Sequence, residues 1–394
     1  MRLGVVDGDL RVERDGRIEV DGRLAVSGEL RFDGNGEVSG PAECRSLRCE
    51  GHTVTFRGEL KVLEELVARD SSLEIAGALS ARRVDVDRAL RVTGPITADE
   101  VEIGGTLEGG STLTARKVSV GGTVELRGKL IAQKVEAGGK ADLAEVELET
   151  LEAGGSASVA GGTIRRSVEV GGRFRATAPL SFGSLEVGGI VQLHGGSHGG
   201  SIEVGGMLSS DGDLDFDSLE IGGIGTISGN ATGRSVEVGG KLEVGGGLKL
   251  TGSLEVGGAA SVREALEGSD LEVGGSLSAR RAVLSSRAAI RGKASTREGL
   301  KAVELTIERR SRVVGPLVGG HVLVHERAQV EDIYGERVEL ASRATAKRLF
   351  AAEVHLGSDV VVDEVSYTRS IEAGDHLTAR APPRKVDTLP PFPL

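Results

Sequence analysis

Aromatic side chains are scarce: the chain has no tryptophan, two tyrosines and seven phenylalanines, only 2% of its 394 residues. Recognition of sugars or unpaired bases by stacked rings is a poor expectation for such a chain. Cysteine is nearly missing too. Cys44 and Cys49 are too few for a disulfide framework, and a C-x4-C spacing without partnering Cys or His makes a poor zinc site, so both read as small buried apolar residues. No run of about 18 apolar residues occurs, which excludes a spanning helix. Met1-Arg2-Leu3-Gly4-Val5-Val6 is followed at once by Asp7-Gly8-Asp9, so a secretory core is missing and the expected location is cytoplasmic. The net charge of −11 argues against a general nucleic-acid binder. Neither Gly-Lys-Ser nor Gly-Lys-Thr occurs, so the phosphate-binding loop of nucleotide hydrolases is missing, as is the calcium-binding Gly-Gly-x-Gly-x-Asp nonapeptide.

What the chain does have is glycine, 61 residues of it, in a fixed order. Ser-Val-Glu-Val-Gly-Gly at 167 returns as Ser-Leu-Glu-Val-Gly-Gly at 184. Val168, Leu185, Ile202, Leu219, Val236, Leu254 and Leu271 open successive copies at a constant step, broken once by a single extra residue. Val101, Val118, Val135 and Leu151 open earlier ones. A period this short, about 17 residues, marks a stack of like units rather than a globular domain.

Within each unit apolar residues come as pairs around one residue that is usually polar: Leu73/Ile75, Leu79/Ala81, Val84/Val86, Leu90/Val92, Ile96/Ala98, Val101/Ile103. Alternation over three residues puts the outer two on one face, which is strand geometry. From Val84 the pairs begin at steps of 6, 6 and then 5, a spacing that lines no single face of a helix. Three short strands per turn close into a coil, with Gly-Gly at a corner through backbone angles that other residues resist. The fold class is therefore all-β: a parallel β-helix, a three-sided solenoid of about 17 residues per coil, each coil about 4.8 Å from the next. Parallel crossovers are overwhelmingly right-handed, and the 6, 6, 5 rhythm departs from the steady 18 of left-handed hexapeptide coils. A narrow core suits Val, Leu, Ile and Ala, and Phe174, Phe182 and Phe216 fall on its inward positions.

Along the chain, residues 1–66 read as irregular N-terminal coils, with a slip near Asp33 to Pro41 that marks a loop or a shortened coil. Lys61 to Asp70 has room for one helical turn before the strand register resumes. Residues 67–287 are the regular core, and residues 288–380 continue the same fold with fewer glycines and more arginine at the corners. Residues 381–394 hold five of the nine prolines. Proline cannot donate to a ladder, so this is an extended or disordered tail. Its end, Leu389-Pro390-Pro391-Phe392-Pro393-Leu394, is either a short docking peptide or, as favoured here, a plain solvent-exposed tail.

Stacking places Glu102, Glu136, Glu152, Glu169, Glu186, Glu203, Glu220, Glu237, Glu255 and Glu272 in one outward file, interrupted by Ser119. Like charges on neighbouring strands repel, and water, salt and adjacent basic groups weaken that. The file is either a solvated face that discourages sideways aggregation or a track for a basic partner or divalent cations. A second file, Ser167, Ser184, Ser201, Ser218, Ser235 and Ser253, offers hydroxyls that bond to one another and to turn amides. No His or Asp column accompanies it, so no catalytic residue is assigned. His194 and His198 are spaced so that two imidazoles can meet, but two ligands without a third make a weak metal site. β-Helical polysaccharide lyases need loop-walled clefts and rings for the sugar, and neither is evident here. No enzyme activity and no cofactor are expected.

Each coil leans on its neighbours for stability, and the first and last lack one. With no amphipathic helix in the sequence to cap them, the terminal coils present unpaired strand amides and an open apolar core, a template for another copy. The residues concerned are Leu10, Val12, Ile18 and Val20 at one end and Ile371 and Leu377 at the other.

The recurrent Leu/Val-Glu-Val-Gly-Gly, continuing as in Val118-Ser-Val-Gly-Gly-Thr-Val-Glu-Leu-Arg-Gly-Lys-Leu-Ile-Ala-Gln-Lys134, resembles the coil of bactofilins, polymer-forming cytoskeletal proteins. The resemblance covers residues 67–287 well and the flanks loosely. It implies a right-handed triangular β-helix that assembles end to end into nonpolar, nucleotide-independent filaments, scaffolds often held at the membrane. The array here is several times longer than in that family, and the family's membrane-attaching N-terminal stretch has no clear match in Met1 to Val6, so membrane association is unsupported by the N-terminus. The expected partner is the protein itself, as a homopolymer through its terminal coils, with protein clients along it and no nucleic acid. The alternative is a non-polymerising spacer that displays partner-binding faces.

Overall fold

The computed structural model describes residues 2–13 and 15–392. They form an all-β parallel solenoid, without a helix among the described residues and with about 23 turns in all. The chain divides into two compact units, Met1–Gly199 and Gly200–Leu394.

In the first unit each inward pair sits on the like pair of the turn before. Leu90 pairs with Leu73 and Leu107, Ile96 with Leu79 and Leu113, and Val101 with Val84 and Val118, each one repeat period away. In the second unit Leu219 lies between Ile202 and Val236, and Ala231 between Leu214 and Leu248. Its later turns are shorter by a single residue, as in Val322 to Val338 to Val354. Alternation dictates the burial: in Glu100–Ile103 the valine and isoleucine are buried and Glu102 is exposed. Phe174, Phe182 and Phe216 are buried, as the pattern predicts.

The corner glycines are explained differently from the sequence expectation. None of the corner pairs from Gly104-Gly105 to Gly274-Gly275 has a positive φ. What excludes a side chain is the preceding turn: a Cβ on Gly104 would lie 2.2 Å from the Asp87 carbonyl oxygen, and one on Gly121 2.4 Å from that of Gly104. The two positions of a pair also differ. Across the second unit the first glycine relaxes, from 3.0 Å at Gly222 to 3.5 Å at Gly274, while the second tightens, from 2.1 Å at Gly223 to 1.9 Å at Gly275 and Gly292. Accordingly, the turn after Gly274-Gly275 carries Arg291 at the relaxed position and keeps Gly292 at the tight one. Left-handed backbone appears instead at the glycine-poor corners on either side of the Gly-Gly pairs, on His52 and Asp70 before and on Arg310, Arg327, Arg343, Asp359 and His376 after, the last five with φ from 57° to 62°.

Bulky core residues are matched by missing ones. A Cβ on Gly36 would come 2.3 Å from the Phe32 ring, on Gly199 2.1 Å from Phe182, and on Gly233 2.2 Å from Phe216. The first of these corrects the reading of the slip near Asp33. The coil is lengthened, not shortened: the step from Gly16 to Gly36 is 20 residues, with non-strand residues at Gly34-Asn35 and Ser39-Gly40-Pro41, and between them Gly36–Val38 is a strand whose Gly36 is an inward position left empty for Phe32. No helical turn forms between Lys61 and Asp70 either, where the strand Glu65–Ile75 buries Leu66 and Ala68.

The proline-rich tail is more than a solvated end. Arg384 and Lys385 pair with Ser366 and Tyr367, and Val386 N–H donates to the Tyr367 carbonyl at 2.9 Å. Leu389 then packs against Val318, Tyr334 and Phe350. Pro393 and Leu394, part of the same motif, lie outside the described residues.

Candidate functional site: open terminal turns and an acidic file

At the N-terminal side, Arg2–Val6 and Leu10–Glu13 each pair with Gly16–Asp33 and with nothing else among the described residues. The inward residues of this first turn are open in consequence. Leu10, Val12 and Val20 are partly exposed, whereas Ile18 is already closed off at 1%. At the C-terminal side, Ile371, Glu372 and Ala373 pair only with Val354, His355 and Leu356, and Thr378–Ala379 only with Val361 and Val362. Ile371, Leu377 and Ala379 are partly exposed, one turn beyond the fully buried Val360 and Val362. Each terminal turn therefore carries a free strand edge around a partly open apolar centre. The sequence-derived residues lie on these turns, except that Ile18 is covered.

The acidic file is continuous within each unit. In the first, Glu102, Ser119, Glu136, Glu152, Glu169 and Glu186 are in register. Basic residues beside the strands neutralise its lower part: Arg83 meets Glu102 at 3.0 Å, and Lys134 bridges Glu136 and Glu152 at 2.7 Å each. The Lys134 bond, with the Ser119 hydroxyl donating at 2.7 Å, holds the Glu136 carboxyl down at about 2. Glu169 and Glu186 have no basic partner among the described residues. They lie with Glu136 and Glu152 along a shallow groove of about 590 Å3 floored by the corner glycines. In the second unit Glu203, Glu220, Glu237, Glu255 and Glu272 are in register, and among the described residues only Glu272 has an ion pair, with Arg291 at 3.4 Å.

Among the described residues, the serine file makes no hydroxyl-to-hydroxyl chain. Ser184 donates to the Arg166 carbonyl at 3.3 Å, and no bond joins one serine of the file to the next. His194 Nδ1 donates to the Gly195 carbonyl at 2.8 Å, and His198 Nε2 meets the Ser181 hydroxyl at 2.9 Å, so each imidazole is engaged separately. No His, Cys, Asp and Glu group among the described residues is arranged to hold a metal. Cys44 and Cys49 are free and buried, and burial pushes the Cys44 thiol up to about 12 and that of Cys49 upward as well.

The sequence reading missed an outward column of large side chains. Val318, Tyr334 and Phe350 are in register on the outer surface of successive turns, yet only 5%, 9% and 8% exposed, because the tail covers them. Their even spacing was a usable signal. No helix of the described residues is long and apolar enough to cross a membrane. No protein-family model, curated protein or solved structure matches this chain.

Proposed function

We propose that this is a structural protein without catalytic activity that self-assembles end to end, without nucleotide, into cytoplasmic filaments that serve as a scaffold. One observation carries the reading: the outermost strands at both ends are unpaired on one edge, around inward residues that are partly exposed. Strand edges of this kind are templates for pairing with another chain, and polar caps are the usual way solenoids prevent it. Burial of each exposed aliphatic side chain adds about 1.5–3 kcal/mol. Association costs about 4–15 kcal/mol in lost freedom, so strand pairing across the joint must accompany that burial. The bactofilin-like coil supports the same reading. Protein clients are expected along the sides.

The test is electron microscopy and sedimentation of the full chain without ATP or GTP. Filaments are expected, and Leu377→Asp, which sets a carboxylate in the joint at a cost of several kcal/mol, abolishes them. Monodisperse single copies at high concentration, or filaments undiminished by Leu377→Asp, refute the proposal. A second reading, a non-polymerising spacer with partner-binding faces, draws on the unpaired Glu203, Glu220, Glu237 and Glu255. It is favoured if the chain stays single while a basic peptide binds in a salt-sensitive way.

A further inference from the structure

The chain has nine aromatic residues. Phe32, Phe56, Phe174, Phe182 and Phe216 fill the core, and Tyr367 stands in the turn beneath the last strand pairings. The other three meet on the outside of the second unit. Tyr334 stacks on Phe350 with ring centres 5.0 Å apart and planes at 25°, and Phe392 of the tail meets Tyr334 edge-on at 6.2 Å and 87°. A sequence this poor in rings has placed an exposed-face stack where its own Leu389-Pro390-Pro391-Phe392 arrives.

The fit is one of side chains rather than of backbone. Pro390 and Pro391 have no N–H to give, and such segments favour an extended, preformed helix that docks on aromatic surfaces. From the turn of Arg384 to that of Tyr334 is three steps, about 14 Å, and the stretch from Val386 to Phe392 spans about 19 Å in that extended form. The reach is sufficient. The hold is shallow: Leu389 is partly exposed and Phe392 56% exposed.

We propose that the column Val318, Tyr334 and Phe350 is an exchangeable recognition site for the Leu389-Pro-Pro-Phe392 segment, filled by the chain's own tail and, when that tail is displaced, by the tail of a second copy. Every copy presents both halves of the contact. Only Asp387 and Thr388 separate Val386, the last backbone-bonded residue, from Leu389, so the chain's own tail acts at an effective concentration of about millimolar. Exchange sets in where copies are packed to a similar density. The inference does not depend on end-to-end stacking, because its test reads capture of a peptide.

The probe is a fluorescent peptide of residues 384–392, titrated by anisotropy against the full chain carrying Leu389→Asp and Phe392→Asp. Saturable binding is expected, at least tenfold tighter than to the wild-type chain, whose column is occupied. Adding Tyr334→Ser, or Val318→Ser should the first fail to fold by circular dichroism, weakens it at least tenfold. Peptide uptake no better than by the wild-type chain, or uptake indifferent to both column variants, overturns the proposal. A mixing experiment then assigns the occupant in trans. The tail variant and a Tyr334→Ser chain with intact tail, labelled with a donor and an acceptor, should give energy transfer that unlabelled 384–392 peptide abolishes. Peptide binding without such transfer rejects the second copy as the partner.

Discussion

Gly274 and Gly275 are neighbours in sequence and belong to one corner, yet alanine should have opposite effects at the two. At Gly275 the new Cβ would stand 1.9 Å from the Gly258 carbonyl oxygen, which accepts the 2.8 Å bond from Ser276 N–H. Relief to the 3.0 Å that real Cβ atoms respect requires about 1.1 Å of movement, close to a quarter of the spacing of about 4.8 Å between turns. Either the turns part or that carbonyl rotates away and loses its bond. An unsatisfied carbonyl costs about 1–3 kcal/mol, and overpacking about 1–3 kcal/mol more. Alanine returns about 0.4–1 kcal/mol through the unfolded chain. The net loss is about 1–6 kcal/mol, and a loss of about 3 kcal/mol is a roughly hundredfold rise in local amide exchange. At Gly274 the nearest atom is 3.5 Å away, so alanine there is neutral or slightly stabilising. Hydrogen–deuterium exchange of segments spanning residues 253–294 reads both variants. Equal protection in the two, or a tolerated Gly275→Ala, would refute the argument that the preceding turn, rather than backbone angle, selects glycine. Gly275→Asn sharpens the contrast: an αL-tolerant residue should rescue an angle requirement but not a clash.

Other outcomes follow from the same geometry. Arg343→Gly should raise the melting temperature slightly, because a left-handed arginine at φ 62° costs about 1–2 kcal/mol against about 0.5–1 kcal/mol for the added glycine freedom; its exposed pair with Asp359 at 3.5 Å contributes little. Phe216→Ala and Gly233→Val should each destabilise, while the double variant loses less than their sum by about 1–3 kcal/mol in denaturant titrations, since the valine refills the space. The folded-state pKa of Glu136 lies below its unfolded value, so its contribution is present above the ordinary carboxylate range near about 4.3 and fades as pH falls toward about 2. Glu136→Gln should flatten the acid limb of the stability profile in that window, and a carboxylate midpoint at the ordinary value by NMR would contradict the Lys134 bridge.

Strand register was readable because every inward pair such as Val101/Ile103 flanks an exposed residue, and hydropathy records that alternation directly. Gly36 and Gly233 escaped because a glycine facing Phe32 or Phe216 carries no hydropathy signal; its meaning lies in the volume of a residue elsewhere in the chain. The corners were located correctly and explained wrongly. A clash with the turn before leaves the same residue in the sequence as a positive φ does, and only the distances separate the two causes. The outward glutamates were legible as a file, but their sorting into bridged Glu136 and bare Glu186 depends on where Lys134 projects. Proline in the tail argued for solvent, and Tyr334 and Phe350, one turn apart, were the missed counter-argument.

The corner collisions all run one way, toward the earlier turn. Asp87-Arg88 shows what this permits: its side chains are accepted where the preceding corner takes a different path through Asp70, at φ 49°, and the Gly-Gly corners begin with the following turn. Compatibility is thus inherited from the predecessor and not owed to the successor. A gene that duplicates a Gly-Gly segment in tandem therefore lengthens its product without redesign, whereas a tandem copy of the Asp87-Arg88 segment would set side chains where the Asp87 and Arg88 carbonyl oxygens leave a Cβ only 2.2 and 2.1 Å, so such arrays have an arrow of growth written into their carbonyl oxygens.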